Sequence, residues 1–335
     1  MTNLPAKNPI HTLLEKRVHP VHLKMRQQIE KEKHSKVFGQ GLGFFHIENW
    51  YSIHALIRMS LRMSFLHGRG KRNALKLELT ENNIPLPHLP ESFHGFRVLH
   101  LSDLHLDVNE YMAGALIERV SDLDYDICVI TGDFRAKTYG PYENALAAMK
   151  RVRGALSNPV YAILGNHDSI EMVPGLEGMG IDVMLNESAV IERDGELIYL
   201  AGIDDPHYYK AHNLEKAADA IPEEAVSILL SHSPETYRHA AHAGFDVFLC
   251  GHTHGGQICL PGGLPLMCNA KAPRSVCNGE WRYGGMNGYT SRGSGASVVD
   301  VRYNCPPEVT LHTLLRDESA AANMASTQAG NACRN

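Results

Sequence analysis

The chain has 335 residues, 44% apolar and 21% charged, a composition that buries a core and excludes a disordered or collagen-like polymer. The formal net charge is −5, but residues 1–72 carry 13 Lys/Arg against 4 Asp/Glu, a net of +9, and the remainder carries −14. That split excludes a uniformly basic nucleic-acid binder and gives the N-terminal segment alone the charge for an anionic partner, a membrane surface or a nucleic acid.

Residues 8–34, rich in Lys, Arg, Glu and Gln, read as a polar helix that Gly39-Gln40-Gly41-Leu42-Gly43 ends. Residues 44–66 predict a second helix, with Ile47, Trp50, Ile57, Leu61 and Phe65 along one side and Glu48, Ser52, Arg58 and Arg62 broadly opposite. Its charges exclude a transmembrane span, which needs about 20 nearly uncharged residues. A basic amphipathic helix with Trp and Phe suits a membrane interface. The run His67-Gly68-Arg69-Gly70-Lys71-Arg72 adds attraction to anionic headgroups, about 1 kcal/mol per basic residue. Residues 44–72 are therefore read as contacting an anionic membrane, the competing reading being a helix packed on the rest of the chain or on a second copy. Asn83-Ile84-Pro85-Leu86-Pro87-His88-Leu89-Pro90 reads as a proline-punctuated connector. The expected division is a basic helical extension and connector over 1–90, one domain over 91–316, and a disordered Ala/Ser/Asn/Gln tail over 317–335.

Five apolar runs then predict buried strands, and each ends in Asp, Asn or His. Residues 98–102 deliver Asp103-Leu104-His105, and 127–131 deliver Gly132-Asp133. Residues 160–164 deliver Gly165-Asn166-His167-Asp168, 226–231 deliver His232, and 245–250 deliver Gly251-His252-Thr253-His254-Gly255-Gly256. Helical patterns at 110–120, 142–153, 214–220 and 235–242 alternate with strands, which argues an α/β architecture. After a further strand at 197–201, Gly202-Ile203-Asp204-Asp205-Pro206-His207-Tyr208-Tyr209 shares the same rim, making His207 and Tyr208 candidate substrate contacts. Residues 257–297 hold eight glycines with repeated Pro and Asn, too many for helix, and follow directly on His252 and His254. Strands at 298–301 and 309–312 close the domain.

Seven cysteines without a C-x-x-C pair fit a reducing compartment, and Cys128 and Cys250 lie in apolar runs as small hydrophobes. The N-terminus shows no secretory signal pattern. The expected location is cytoplasmic, peripheral on the inner face of a membrane.

Asp103, His105, Asp133, Asn166, His232, His252 and His254 are seven ligand candidates, all nitrogen or oxygen donors. Such a set suits Mn, Fe or Zn. Seven are too many for one ion, whereas two ions sharing Asp133 would use them all. Two metals about 3.5–4 Å apart are a device for in-line displacement at phosphorus.

Taken in order, Asp-x-His, Gly-Asp, Gly-Asn-His-Asp, His and Gly-His-x-His resemble the calcineurin-like metallophosphoesterase superfamily over about residues 93–316. The words Ser231-His232-Ser233-Pro234-Glu235 and Gly251-His252-Thr253-His254-Gly255-Gly256-Gln257 are similar to its bacterial membrane-associated phosphohydrolases, which include phosphodiesterases and UDP-diacylglucosamine hydrolases. The resemblance implies a four-layer α/β/β/α sandwich with two mixed β-sheets. It implies one divalent metal on Asp103, His105, Asp133 and His254 and a second on Asp133, Asn166, His232 and His252, with manganese favoured. It places His167 at the leaving group, oriented by Asp168. Tyr289-Thr290-Ser291-Arg292-Gly293 resembles a recurring word of the same branch and makes Arg292 a candidate phosphate clamp. One departure, Gly132-Asp133-Phe134-Arg135, falls where many relatives carry small aliphatic and acidic residues, beside the bridging position.

The implied function is a dinuclear-metal phosphohydrolase that cleaves a phosphodiester or pyrophosphate bond with metal-activated hydroxide, on a membrane lipid precursor such as UDP-diacylglucosamine. The alternative is a soluble nucleotide or phosphoprotein phosphatase with a dimerising N-terminus. Retention of all seven ligands argues against a non-catalytic scaffold, and the acidic catalytic domain argues against nucleic acid as partner.

Overall fold

The structure is a computed structural model that describes residues 9–38, 51–265, 267–297 and 299–317. The N-terminal part is helical: α1 Pro9–Arg17, α2 Pro20–Phe38, α3 Tyr51–Met63 and α4 His67–Ala74. The polar helix expected over 8–34 is thus two helices, broken just ahead of Pro20, a residue tolerated in a helix's first turn but not inside it. The glycine run at 39–43, Ile47, Trp50 and the tail from 318 lie outside the described residues. No helix among the described residues is long and apolar enough to cross a membrane.

The chain continues through β1 Glu78–Leu86, β2 Arg97–Leu101, α5 Met112–Val120, β3 Ile127–Ile130, α6 Glu143–Arg153, β4 Val160–Ala162, α7 Val173–Glu177 and β5 Ile181–Val183. Next come β6 Glu187–Arg193, β7 Glu196–Gly202, α8 Leu214–Ala218, β8 Ser227–Leu230, α9 Tyr237–His242 and β9 Val247–Cys250. A small hairpin of β10 Cys259–Leu260 and β11 Leu264–Pro265 precedes β12 Gly279–Tyr283, β13 Met286–Thr290 and β14 Glu308–Arg316.

Two six-stranded mixed sheets result, ordered β1-β14-β2-β3-β4-β5 and β12-β13-β9-β8-β7-β6. Strand alternation builds the layers. In β3, Ile127 and Val129 face the core between the sheets, while Cys128 and Ile130 face helices. In β9, Val247 and Leu249 point inward and Phe248 and Cys250 outward. Leu14, Leu23, Leu116, Met149 and Leu176 of α1, α2, α5, α6 and α7 cover the first sheet, and Ala217 and Ala240 of α8 and α9 cover the second. The architecture is the expected α/β/β/α sandwich with a helical N-terminal segment.

Two segments depart from expectation. Residues 83–86 are not a connector but the end of β1, which pairs in parallel with β14 from Glu78↔Glu308 to Leu86↔Arg316. Pro85 is accommodated because β1 is an edge strand, whose outer N–H positions need no partner. The first 90 residues are therefore not a separable extension, since β1 belongs to the sheet and Leu14, Val18 and Leu23 to its core. Residues 299–301, expected as strand, run irregularly and are pinned instead by the Gln257 amide, which donates to the Val299 carbonyl at 2.8 Å.

Candidate active site

All seven ligand candidates lie in loops leaving the carboxyl ends of β2, β3, β4, β8 and β9, and all seven are buried. Parallel pairing of β2 with β3, β3 with β4, and β8 with β9 sends these ends to one edge. The loops turn sharply there. Asp103, His105, Asp133, His252 and His254 have φ of 51°, 41°, 60°, 71° and 52°. Non-glycine residues rarely enter this region, at a cost of order 1–3 kcal/mol each, so the surroundings must hold them.

Bonds between loops do so. The Asp103 and His105 N–H groups donate to the Gly132 and Asp133 carbonyls at 3.0 Å. The Asp168 carboxylate accepts from the N–H groups of Asp133 (2.7 Å), Phe134 (2.9 Å) and Gly165 (2.9 Å). The His167 N–H donates to Asp133 Oδ1 at 2.9 Å. Such close approach needs glycine: a Cβ on Gly165 would lie 2.2 Å from Asp133 Oδ1, and one on Gly251 would lie 1.9 Å from Ser102 Oγ.

The donor atoms of Asp103, His105 and His254 lie within 4.8 Å of one another, as do those of Asp103, Asp133 and His232. His105 Nε2 is 3.2 Å from His254 Nε2 and 3.7 Å from Asp133 Oδ2. His232 Nε2 is 2.8 Å from Asn166 Oδ1 and 3.4 Å from Asp133 Oδ2, so Asp133 stands between the two groups. The His252 ring lies 5.0 Å from the His232 ring, and its Nε2 has no partner among the described residues.

The chemistry of this donor set fits cations. His105 gives its Nδ1–H to the Arg135 carbonyl at 2.8 Å, and His232 gives its Nδ1–H to the Thr131 carbonyl at 2.7 Å. Those bonds fix each tautomer and aim both Nε2 lone pairs at carboxylate and carboxamide oxygens. Acceptors facing acceptors in a buried pocket call for positive charge between them. The titration behaviour agrees. Burial and the neighbouring His254 push His105 down to about 3. Burial also opposes charge on His232, but Asp133 outweighs it and pushes that imidazole up to about 10, a proton taking the place of a cation.

The remaining predicted residues divide. His167 is buried beside the centre, its Nε2 3.8 Å from Asp133 Oδ2 and its Nδ1 without a partner among the described residues. Asp168 departs from expectation: its carboxylate ties the Asp133 and Gly165 backbones rather than the His167 ring. The His207 ring packs 4.2 Å from that of His252, its Nδ1 2.8 Å from Glu235. Tyr208 is instead buried in a small cluster with Tyr209 and Ala211, against Ile29 of α2. Arg292 is no open clamp, because its guanidinium is committed to Glu308 (2.7 and 2.8 Å) and reaches Thr80 at 3.2 Å. A buried carboxylate sixteen residues downstream has no local signature, which is why the sequence misleads here.

Sequence reasoning also missed three buried arginines. Arg135 Nε donates to the His167 carbonyl at 2.5 Å. Arg302 donates to the His254 carbonyl at 3.1 Å and has its other terminal nitrogen 3.1 Å from His254 Nδ1. Arg26 of α2 donates to the Asp168 carbonyl at 3.1 Å and lies 3.3 Å from Asp204. Arg26 and Arg302 sit in no distinctive local pattern, and Arg135 showed only as a departure beside the bridging position, without a role.

A two-sheet sandwich with a buried His/Asp/Asn centre at its loop edge defines a metal-dependent phosphoester hydrolase. The calcineurin-like phosphoesterase family profile matches residues 96–256. The chain is 30% identical over 227 residues to an uncharacterized metallophosphoesterase of Bacillus subtilis, YkoQ, spanning 65% of this chain and 83% of that one. It is 27% identical over 238 residues to the phosphodiesterase YaeI of Escherichia coli, spanning 66% and 82%. It is 27% identical over 245 residues to the UDP-2,3-diacylglucosamine pyrophosphatase LpxG of Chlamydia trachomatis, spanning 55% and 71%. The chain belongs to the calcineurin-like phosphoesterase family, whose members use a dinuclear divalent metal site.

Proposed function

We propose that this enzyme hydrolyses a phosphodiester or pyrophosphate bond of a lipid-linked substrate at an anionic membrane surface. The observation that carries the metal chemistry is the set of fixed Nε2 lone pairs of His105 and His232 facing Asp133 and Asn166. Asp103, His105, Asp133 and His254 would hold one cation and Asp133, Asn166, His232 and His252 the other; the N/O donor set suits Mn, Fe or Zn, and the resemblance favours manganese among them. Bound there, the pair supplies Lewis acidity toward phosphoryl oxygens and lowers the pKa of a water.

The chain's own groups supply the rest. Burial holds His167 well below the usual histidine range, so its ring is neutral and offers its single N–H as a hydrogen bond that stabilises charge on the departing oxygen. His207, against His252, lines the side where the remainder of the substrate would lie. The lipid assignment is supported by exposed apolar residues on α3, Leu56, Met59 and Met63, continued by Phe65 in the turn that follows, in a stretch that also carries Arg58, Arg62 and Arg69. Similarity to a UDP-2,3-diacylglucosamine pyrophosphatase points the same way.

The test compares p-nitrophenyl phosphate, bis(p-nitrophenyl) phosphate, a soluble UDP-sugar and vesicle-borne UDP-2,3-diacylglucosamine, with chelator-stripped protein re-supplied with Mn, Fe or Zn. Diester or pyrophosphate cleavage, fastest on the vesicle-borne substrate, is expected. Turnover confined to monoesters or soluble nucleotides would return the soluble phosphatase reading.

A further inference from the structure

His100 and His312 are completely buried in the core between the two sheets, on the same inward faces as Val98 of β2 and Leu314 of β14. Leucine would fill that space without a polar cost, whereas buried imidazoles are tolerated only when hydrogen-bonded. Sheet register gives them partners. Asn82 of β1 stands opposite His312 of β14, and His100 of β2 stands opposite Thr310, two residues along the same face.

A continuous chain of contacts follows. Asn82 Nδ2 is 2.9 Å from His312 Nδ1, His312 Nε2 is 3.3 Å from His100 Nδ1, and His100 Nε2 is 2.9 Å from Thr131 Oγ1. The Thr131 hydroxyl donates to Ser102 Oγ at 2.7 Å, and the Ser102 hydroxyl donates to Asp103 Oδ2 at 2.6 Å. The ends dictate every direction. A carboxylate only accepts, so Ser102 donates to it and must receive Thr131's proton. Thr131 has then spent its own proton and must accept from His100, which therefore carries hydrogen on Nε2. A neutral His100 accepts at Nδ1, so His312 donates from Nε2 and accepts at Nδ1 from the Asn82 amide. All five donors point toward Asp103. Burial pushes His100 down to about 4 and His312 well below the usual histidine range, so both rings are neutral as this order requires.

Asp103 divides its oxygens accordingly. Oδ1 lies 3.3 Å from His254 Nε2, while Oδ2 takes the Ser102 hydroxyl, and the His252 N–H donates across both oxygens at 3.2 and 3.0 Å. Aligned hydrogen bonds polarise one another, so the last donor in such a chain is stronger than an isolated serine. We propose that the Asn82–His312–His100–Thr131–Ser102 chain positions the Asp103 carboxylate, holding Oδ2 so that Oδ1 stays turned toward His254, and thereby sets the affinity of the cation site that Asp103 forms with His105 and His254. This rests on reading Asp103 as a metal ligand. His100 and His312 are then positioning residues that never touch substrate.

The experiment measures Mn(II) binding to chelator-stripped protein by titration calorimetry, kcat and KM on bis(p-nitrophenyl) phosphate, and thermal melting of the apo-protein. Wild type is compared with His100→Leu, His100→Gln and His312→Leu. His100→Leu should weaken Mn(II) binding at one of two sites by about 10–100-fold, the usual scale for a lost outer partner of a metal ligand. At subsaturating Mn(II) its kcat should fall while KM holds, and its apo-protein should melt no lower than wild type. His100→Gln, which keeps a donor toward Thr131, should recover most of the affinity, and His312→Leu, one link further out, should lose less. Should His100→Leu not fold, Ser102→Ala removes the last link and should lose affinity to the same extent. Wild-type affinity in His100→Leu, or a lower melting temperature with unchanged affinity, overturns the relay and leaves the pair a packing feature. If wild type itself binds no Mn(II), the metal-centre reading fails instead.

Discussion

At the scale of single residues, the centre is defined less by its ligand types than by the groups that deny those ligands other partners. His105 and His232 have each committed one ring nitrogen to a backbone carbonyl, and Asp133 receives both of their free nitrogens. Asp133→Asn should therefore disturb both cation positions. Metal analysis should find it below the wild-type complement, with kcat reduced by at least about 100-fold, the upper scale for disturbing a ligand's outer partners alone. A fully loaded and active Asp133→Asn protein would refute the shared position. His167→Ala should behave in the opposite way. Its ring nitrogens hold no cation in the proposed partition, so metal content should persist while alkyl esters slow by about 10²–10³-fold, the scale for losing one hydrogen-bond donor to developing charge. Nitrophenyl esters, whose leaving group needs little help, should suffer less. Loss of metal from His167→Ala would make it a ligand.

At the scale of elements, α2 belongs to the active site's support. Arg26 is fully buried, stacked with its guanidinium carbon 3.3 Å from the centre of the Tyr209 ring, 3.3 Å from Asp204 and bonded to the Asp168 carbonyl 142 residues away. Arg26→Met leaves Asp204 buried without its cation and should cost about 3–5 kcal/mol in denaturant unfolding. Adding Asp204→Asn should recover part of that loss, and a strictly additive double variant would show that the pair is not coupled. Acid tests the same contact. Burial pushes Asp204 up, but Arg26 and His22 outweigh it and hold it below the usual carboxylate range. A depressed folded pKa adds stability above the unfolded value of about 3.9, lost as pH falls through the folded one, so α2 should loosen below about pH 4. The pairing of Arg26 with Asp204 is not visible in the sequence, where residues 8–34 read only as a polar helix. The strand ends were legible because each couples an apolar run to Gly, Asp, Asn or His within a few residues, and chain order alone brings parallel ends together. β1 was not, because Asn83-Ile84-Pro85 carries the marks of a loop and only pairing with β14 makes it a strand. Arg292 was misread for the same reason: Glu308, which takes its charge, lies on another strand.

At the scale of the whole molecule, the basic N-terminal segment joins the catalytic rim through α4. Gly70 lets α4 approach Val301 and Tyr303, Lys71 lies 3.2 Å from Asp300, and the Asn73 amide donates to the Arg302 carbonyl at 3.0 Å. Arg302 in turn reaches His254, so α4 is held on the segment that supports a candidate ligand. Beside it α3 shows a different apolar side from the one its sequence implies: Ile57 and Leu61 are half-buried, while Met63 is 74% and Phe65 93% exposed. A phenylalanine left in water forgoes about 1.5–3 kcal/mol of burial, which insertion into a lipid interface would recover. Truncation is a poor test, because removing α1 and α2 strips Leu14, Val18 and Leu23 from the core. Substitution at the exposed stripe avoids that damage. Met59→Glu/Met63→Glu/Phe65→Glu should leave bis(p-nitrophenyl) phosphate turnover at the wild-type rate and lower co-sedimentation with anionic vesicles by at least about tenfold, the worth of some 1.4 kcal/mol. Wild-type binding should itself weaken at 1 M salt, where screening shortens to about 3 Å, and should be slight on neutral vesicles. Equal binding by both proteins, or none by either, would make this stripe a protein-packing surface and leave the lipid-linked substrate without its structural support.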